Sequence, residues 1–197
     1  MVEIAGGIVE SVRRYVSDDD CYAILEAERW PKALSCIHCG SNDVRRFNIK
    51  GGGVARRTRF QCNGCRYQFS STTGTIFHHS RVSLLTWFVA IALLNHNPRL
   101  SAVRLQKNLQ ITYKSAWRLR REAYADLLGL DYFGDEKNEA DEFGSPTTKA
   151  LEKRPPRMGR KIVLASMILR FTQRIPDPLR KELVGLAALQ KPEKLGL

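Results

Sequence analysis

The sequence predicts an α+β protein: a small cysteine-knuckled β module, then a three-helix bundle, then a short and incomplete α/β remnant. Three observations predict it. Two Cys-x-x-Cys pairs flank a short segment of polar and β-leaning pieces. Three helical runs with apolar stripes follow without a long break, and past residue 130 the pattern dissolves into acidic and then basic chain. At 197 residues the chain has room for one ordinary domain or two or three small modules.

Residues 1–30 read as a helical lead-in. Asp18 to Asp20 suit a helix N-terminus, Ile24, Leu25 and Trp30 supply apolar positions, and Pro31 ends the run. Residues 31–75 carry the cysteines, with tight turns at CIHCG and FQCNGC. The stretch Ser83 to Asn95 is apolar around most of its circumference, as a buried helix would be. Ser101 caps a second helix that offers Val103, Leu105 and Leu109 to the core. Thr112 caps a third, whose inward stripe is Ala116, Leu119, Ala123 and Leu127, and Gly129 ends it. Residues 76–130 thus follow the order of a helix-turn-helix. Residues 131–160 read as an acidic then basic linker. Residues 161–171, KIVLASMILRF, read as one buried strand, and Leu179, Leu183, Leu186 and Leu189 as the stripe of a terminal helix.

Charge narrows the partners. The chain carries 32 Lys and Arg against 20 Asp and Glu, a net +12. Residues 1–30 hold net −4, residues 31–128 hold +13, residues 129–148 hold −5 and residues 149–197 hold +8. A basic middle between acidic stretches points to a polyanionic partner. No apolar run approaches the roughly 20 residues a membrane helix needs, and the first residues lack a secretory pattern, so the expected location is cytoplasmic, without membrane contact.

The strongest chemical signal is the cysteine set. Cys36, Cys39, Cys62 and Cys65 form two pairs separated by 22 residues. Two thiolates three residues apart on a turn hold one metal ion together, and four close a tetrahedral shell suited to structural Zn²⁺. This makes residues 31–75 a zinc ribbon. About 35 residues bury too small a core to fold alone, so the metal supplies the missing folding energy. A redox pair and an iron–sulfur cluster are the competing readings. Cys21 falls outside the pattern and reads as a small buried hydrophobe.

The candidate DNA contacts fall in two groups. Arg56, Arg57 and Arg59 belong to a basic hairpin around Gly51 to Gly53. On the third helix Tyr113, Lys114 and Ser115 open the first turn, and Lys114, Arg118 and Arg121 recur at steps of four and three. Early basic and hydroxyl residues suit base edges and flanking phosphates of double-stranded DNA.

With these residues in view, the run from CYAILEAERWP through CIHCG and RFQCNGCRYQFSSTTGTIF to ITYKSAWRLR resembles the N-terminal half of the ISXO-like insertion-sequence transposases over about residues 17 to 128. The resemblance implies a zinc ribbon and helix-turn-helix that recognise mobile-element DNA, a nucleoid-associated location, and a second copy or a full-length transposase as protein partner. It also implies a following catalytic domain of DDE type. Asn138 to Gly144 is similar to the opening of that domain, which makes Asp141 the counterpart of the first catalytic carboxylate and Mg²⁺ the cofactor of an active enzyme. Only 56 residues follow Asp141, too few for the carboxylate set that two-metal strand transfer needs, so incomplete catalytic machinery is expected. The alternatives are an active metal-dependent transposase, a zinc-ribbon transcription regulator and a protein-interaction module.

Overall fold

The computed structural model describes residues 7–48, 58–127 and 164–188. Arg56, Arg57, Asp141, the glycine tip and the linker lie outside the described residues. Helices α1 (Ile8–Arg13) and α2 (Asp18–Arg29) lead into a ribbon of β1 (Val44–Asn48), β2 (Thr58–Cys62) and β3 (Gln68–Phe69). Helices α3 (Leu84–His96), α4 (Ala102–Leu109) and α5 (Tyr113–Leu127) follow, then α6 (Leu164–Thr172) and α7 (Asp177–Ala188). The expected α+β class is what forms.

Local chemistry sets the helix starts. Ser17 and Asp20 form a reciprocal capping box: the Ser17 hydroxyl accepts the Asp20 amide at 3.1 Å and the Asp20 carboxylate accepts the Ser17 amide at 2.9 Å. Ser83 caps α3 and Ser101 caps α4 in the one-sided way. Thr112 accepts the Ser115 amide at 3.3 Å at the head of α5. The α4–α5 turn is possible because Gln110 adopts a left-handed conformation, φ 53°. The end of the Gln110 side chain fills the space beside Gly7, where an added Cβ would lie 2.8 Å from it. A side chain at position 7 would therefore displace Gln110 at the turn.

Every residue of α3 from Leu84 to Leu94 is buried, which makes α3 the central rod of the helical body. Helices α1, α2, α4, α5, α6 and α7 all pack around it, directly or through a neighbour. Ala116, Leu119 and Ala123 face inward from α5, as the stripe predicts, and Cys21 is fully buried on α2. Val103 departs from expectation: it is 47% exposed, because α4 turns Ala102, Leu105 and Leu109 inward instead. Helix α1 had no place in the sequence reading beyond the lead-in, yet its Ile8, Val9 and Val12 join the core.

The largest correction concerns residues 161–171. The segment expected to be a strand forms helix α6 over Leu164–Thr172. Met167, Ile168 and Phe171, with Ile175 beyond, recur at steps of one, three and four and reach the core, while Leu169 and Arg170 face out. A short apolar run does not declare its period, and packing chose the helix. The described part of the remnant is thus helical and shares the main core: Phe171 meets Phe88 of α3 edge-on at 5.4 Å. The expected terminal helix is α7, with Leu179 and Leu183 buried. Among the described residues no helix is long and apolar enough to cross a membrane.

Because Phe171 is fully buried in the same cluster as α3, Phe171→Ala should lower the unfolding free energy by about 3 to 5 kcal/mol. Denaturant unfolding followed by circular dichroism reads it. A change below about 1 kcal/mol would mean that α6 is an appendage and not part of the core.

Candidate functional site

The ribbon is a three-stranded antiparallel sheet in the order β1-β2-β3, with Val44 opposite Cys62 and Phe60 opposite Phe69. Its buried core is four side chains, Cys36, Phe60, Cys62 and Phe69, and two of these are thiols. Apolar burial this small does not offset the chain entropy of ordering the module. A further interaction has to hold it.

That interaction is available at the two knuckles. Both are built alike. In the first, the Gly40 amide donates to the Cys36 carbonyl at 2.9 Å and the Cys36 amide donates to the Ser41 carbonyl at 2.8 Å. In the second, the Arg66 amide donates to the Cys62 carbonyl at 3.0 Å and the Cys62 amide donates to the Tyr67 carbonyl at 3.0 Å. The same two bonds recur at the same offsets. Each knuckle closes with a left-handed residue directly after its second cysteine: Gly40 at φ 75° and Arg66 at φ 60°. Glycine takes that conformation freely, whereas arginine does so at a cost of about 1 kcal/mol or more.

The knuckles bring together four sulfurs from cysteines as far as 29 positions apart in sequence. Cys36 Sγ is 3.6 Å from Cys65 Sγ, Cys39 Sγ is 3.6 Å from Cys62 Sγ, and all four lie within 4.8 Å of one another. Four thiolates about 2.3 Å from a tetrahedral Zn²⁺ stand about 3.8 Å apart. The donor set therefore fits structural Zn²⁺, with a closed shell that leaves no open position for water. Backbone amides add support: His38 N–H points at Cys36 Sγ at 3.4 Å and Cys65 N–H at Cys62 Sγ at 3.5 Å. The Cys65 amide and the neighbouring sulfur of Cys39 hold the Cys62 thiol down to about 7, so a thiolate is at hand near neutral pH. Cys65, although it also takes the Tyr67 amide, is pushed up to about 12 by burial and by hydrogen bonding of its thiol to the sulfurs of Cys39, Cys36 and Cys62. A cation at the centre would stabilise all four as thiolates. Cys21, remote from the cluster on α2, is pushed up by burial and stays a neutral thiol. His38 is not among the clustered ligands; its ring stacks on Tyr67 at 5.3 Å.

The ribbon divides its cations by face. On β1 and β2, Arg45, Phe47, Arg59 and Gln61 share one side of the pleat, with Arg45 bonded to Gln61 at 3.1 Å. Arg46 is on the other side, its guanidinium 5.3 Å over Phe60 and 2.7 Å from the Glu26 carboxylate of α2. Of the expected ribbon contacts, Arg59 is therefore on the outer face beside Arg45.

The expected contacts on α5 are graded along the helix. Tyr113 is 51% exposed and Lys114 is also exposed. Ser115 is half-buried, its hydroxyl accepting from Thr112 at 2.9 Å. One turn further, Arg118 donates to Glu122 at 2.8 Å and to the His78 carbonyl at 3.3 Å, and Arg121 lies 4.6 Å over the Trp117 ring. Arg118 and Arg121 are thus held against the protein, and the open cationic edge is at the start of the helix.

One residue of the joint was given no role in the sequence beyond its place in the Arg-Trp-Pro run. Arg29, at the end of α2, is buried and donates to the Ser70 carbonyl at 3.4 Å and to the Ser71 carbonyl. Burial pulls its guanidinium down to about 10, which leaves it protonated at neutral pH. Nothing in a lone helical arginine announces such a role. The Trp30 and Pro31 that follow it were the available hint.

Comparison with known proteins agrees with these features. Residues 16–68 match the family model described as the transposase zinc-ribbon domain. Over 110 residues the chain is 29% identical to a protein of Halobacterium salinarum described as an uncharacterized protein in transposable element ISH50. That alignment covers 54% of this chain and 35% of the relative, so the chain matches about a third of that protein's length. No solved structure matches. The resemblance to insertion-sequence transposases read from the motifs is met in both comparisons.

Cys62→Ser removes a ligand that is also one of the four buried ribbon side chains. We expect it to abolish stoichiometric zinc in native mass spectrometry and to loosen the ribbon around Trp30. A variant that keeps one zinc per chain and wild-type solubility would refute the site.

Proposed function

We propose that the chain binds double-stranded mobile-element DNA through its zinc ribbon and through α4 and α5 acting as a helix-turn-helix. The observation that carries this reading is the open edge of Tyr113 and Lys114 at the head of α5, one short turn after α4. In a helix-turn-helix the N-terminal residues of the second helix meet base edges while the first helix crosses the backbone. Exposed Lys107 and Gln110 extend the edge into α4 and the turn. Support from the ribbon comes from Arg45 and Arg59 on its outer face, with Arg56 and Arg57 assigned to the same role. Ser115, Arg118 and Arg121 continue the DNA face along α5, Arg118 by exchanging Glu122 for a phosphate while it keeps the His78 carbonyl, and Arg121 by leaving the Trp117 ring. A second copy of the chain, or a full-length transposase, is the proposed protein partner.

In this reading the described residues bind DNA and do not cut it. Asp141 as the first carboxylate of a catalytic site, with Mg²⁺, belongs to the alternative, an active transposase. Mg²⁺-dependent nicking of a bound duplex by the purified chain would establish that alternative.

The binding claim makes a numerical prediction. Each phosphate neutralised releases condensed counterions, so the slope of log affinity against log salt falls by about 0.9 per contact removed. With Tyr113 assigned to base edges and Lys114 to a flanking phosphate, Lys114→Ala should flatten the slope by about one unit and weaken binding to all sequences alike. An unchanged slope would remove Lys114 from the phosphate contacts. Failure of the wild-type chain to retard any duplex at low salt would remove DNA binding itself.

A further inference from the structure

The ribbon and the helical body are joined by two chain crossings, one through Pro31 and one through residues 70–80. Either would be flexible if it were a plain linker. Neither is. At the first crossing the last turn of α2 plugs into the ribbon. Trp30 stands 5.4 Å from Phe60 and 6.1 Å from Phe69, packed against the ribbon's small core. Glu26 accepts the Arg46 guanidinium of β1 at 2.7 Å with one oxygen and the Ser71 hydroxyl at 2.7 Å with the other.

The second crossing is folded into consecutive tight turns. The amides of Thr73, Thr75, His78 and Ser80 each donate to the carbonyl three residues back, at 3.1 to 3.3 Å. Ser70 and Thr73 bond each other through their hydroxyls at 3.0 Å. Phe77 is buried in the helical core, 5.3 Å from Trp87, and Trp87 donates to the Ser80 hydroxyl at 2.8 Å. This strip is also held from both sides by arginines of different helices. Arg29 of α2 takes the carbonyls of residues 70 and 71, and Arg118 of α5 takes the carbonyl of residue 78. The two ties act on the same crossing, residues 70–80, that leads out of the ribbon.

A buried guanidinium whose Nη1 donates to two successive carbonyls across two modules fixes geometry as well as adding stability, because both acceptors have to converge on that one nitrogen. With Glu26 and Trp30 beside it, the orientation of the ribbon relative to α5 has no free hinge among the described residues of the joint. Two DNA-contacting surfaces on one rigid body must meet the duplex at a fixed separation and a fixed helical phase. Two surfaces on a tether would not.

The geometry points to a bipartite DNA site: the ribbon's outer face and the head of α5 engage one duplex at a fixed phase, and Arg29 is the positioning residue that sets it. This inference rests on the DNA-binding reading and goes beyond it, since that reading holds equally for two loosely connected modules. Coupling of two contacts in one rigid unit raises affinity by about 10² to 10⁴ over either alone, and the gain is lost when geometry forbids simultaneous engagement.

The test uses the full chain and duplexes it selects from a random pool. Footprinting should show two protected patches on each selected duplex. Inserting about 5 bp between them, half a helical turn, should lower affinity at least tenfold, and inserting about 10 bp, which restores the phase but not the separation, should also lower it. Arg29→Met keeps the bulk of the side chain and removes the Nη1 donor to residues 70 and 71. It should keep wild-type zinc content and helicity, bind the original duplex no more than about threefold better than the 5 bp insertion, and so lose the discrimination, which mere destabilisation would not selectively erase. Glu26→Gln, which leaves Arg29 in place and weakens the ties to Arg46 and Ser71, is measured in parallel and should reduce the discrimination even if Arg29→Met does not fold. One protected patch, tolerance of the 5 bp insertion by the wild type, or full discrimination in every folded variant would each overturn the bipartite site while leaving DNA binding intact. Absence of binding to any duplex would overturn both.

Discussion

The convergence of four sulfurs on one point is the constraint from which the rest of the ribbon follows. Each knuckle spends its backbone bonds on aiming two cysteines, and each ends in a left-handed residue that turns the chain back into the sheet. Remove the cation and, among the described residues, the module keeps only Phe60 and Phe69 as buried non-thiol side chains. A metal bound only in the folded state contributes its binding energy to folding. The ribbon is therefore a metal-dependent structure attached to a helical body that does not need the metal for its own core, which is organised around the fully buried span of α3.

The join between these two parts explains features that neither part explains alone. Arg46 looks, in sequence, like one more cation of a basic arm, yet it is paired with Glu26 and unavailable to the outer face. Arg29 is buried, with its charge retained, because backbone carbonyls of the ribbon's exit strip surround it. Arg118 belongs to the basic stripe of α5 and also reaches back to that strip. Among the described residues, Arg29, Arg46 and Arg118 hold the two modules together while Lys107 and Lys114 are exposed, and the net positive charge does not distinguish them.

Much of this was legible in the sequence, for identifiable reasons. Spacing declares zinc ligands, because two thiols three residues apart have few other uses in such a pattern. Caps declare helix starts, as Ser101 and Thr112 did, and a run apolar on all sides declares a buried helix, as α3 did. The failures were equally physical. Residues 164–172 are apolar enough to suit a strand or a helix, and contacts with α2 and α3, distant in sequence, decided between them. Val103 was assigned inward because periodicity alone does not fix the rotation of an eight-residue helix. The role of Arg29 was invisible because its partners are main-chain carbonyls 41 and 42 residues away, which leave no trace in residue type.

The account stands most directly on the coordination of the metal. X-ray absorption at the zinc edge of the purified chain should report four sulfur neighbours at about 2.3 Å and no nitrogen or oxygen in the inner shell. A shell containing nitrogen or oxygen, an iron signature in place of zinc, or a well-folded ribbon without any metal would contradict it.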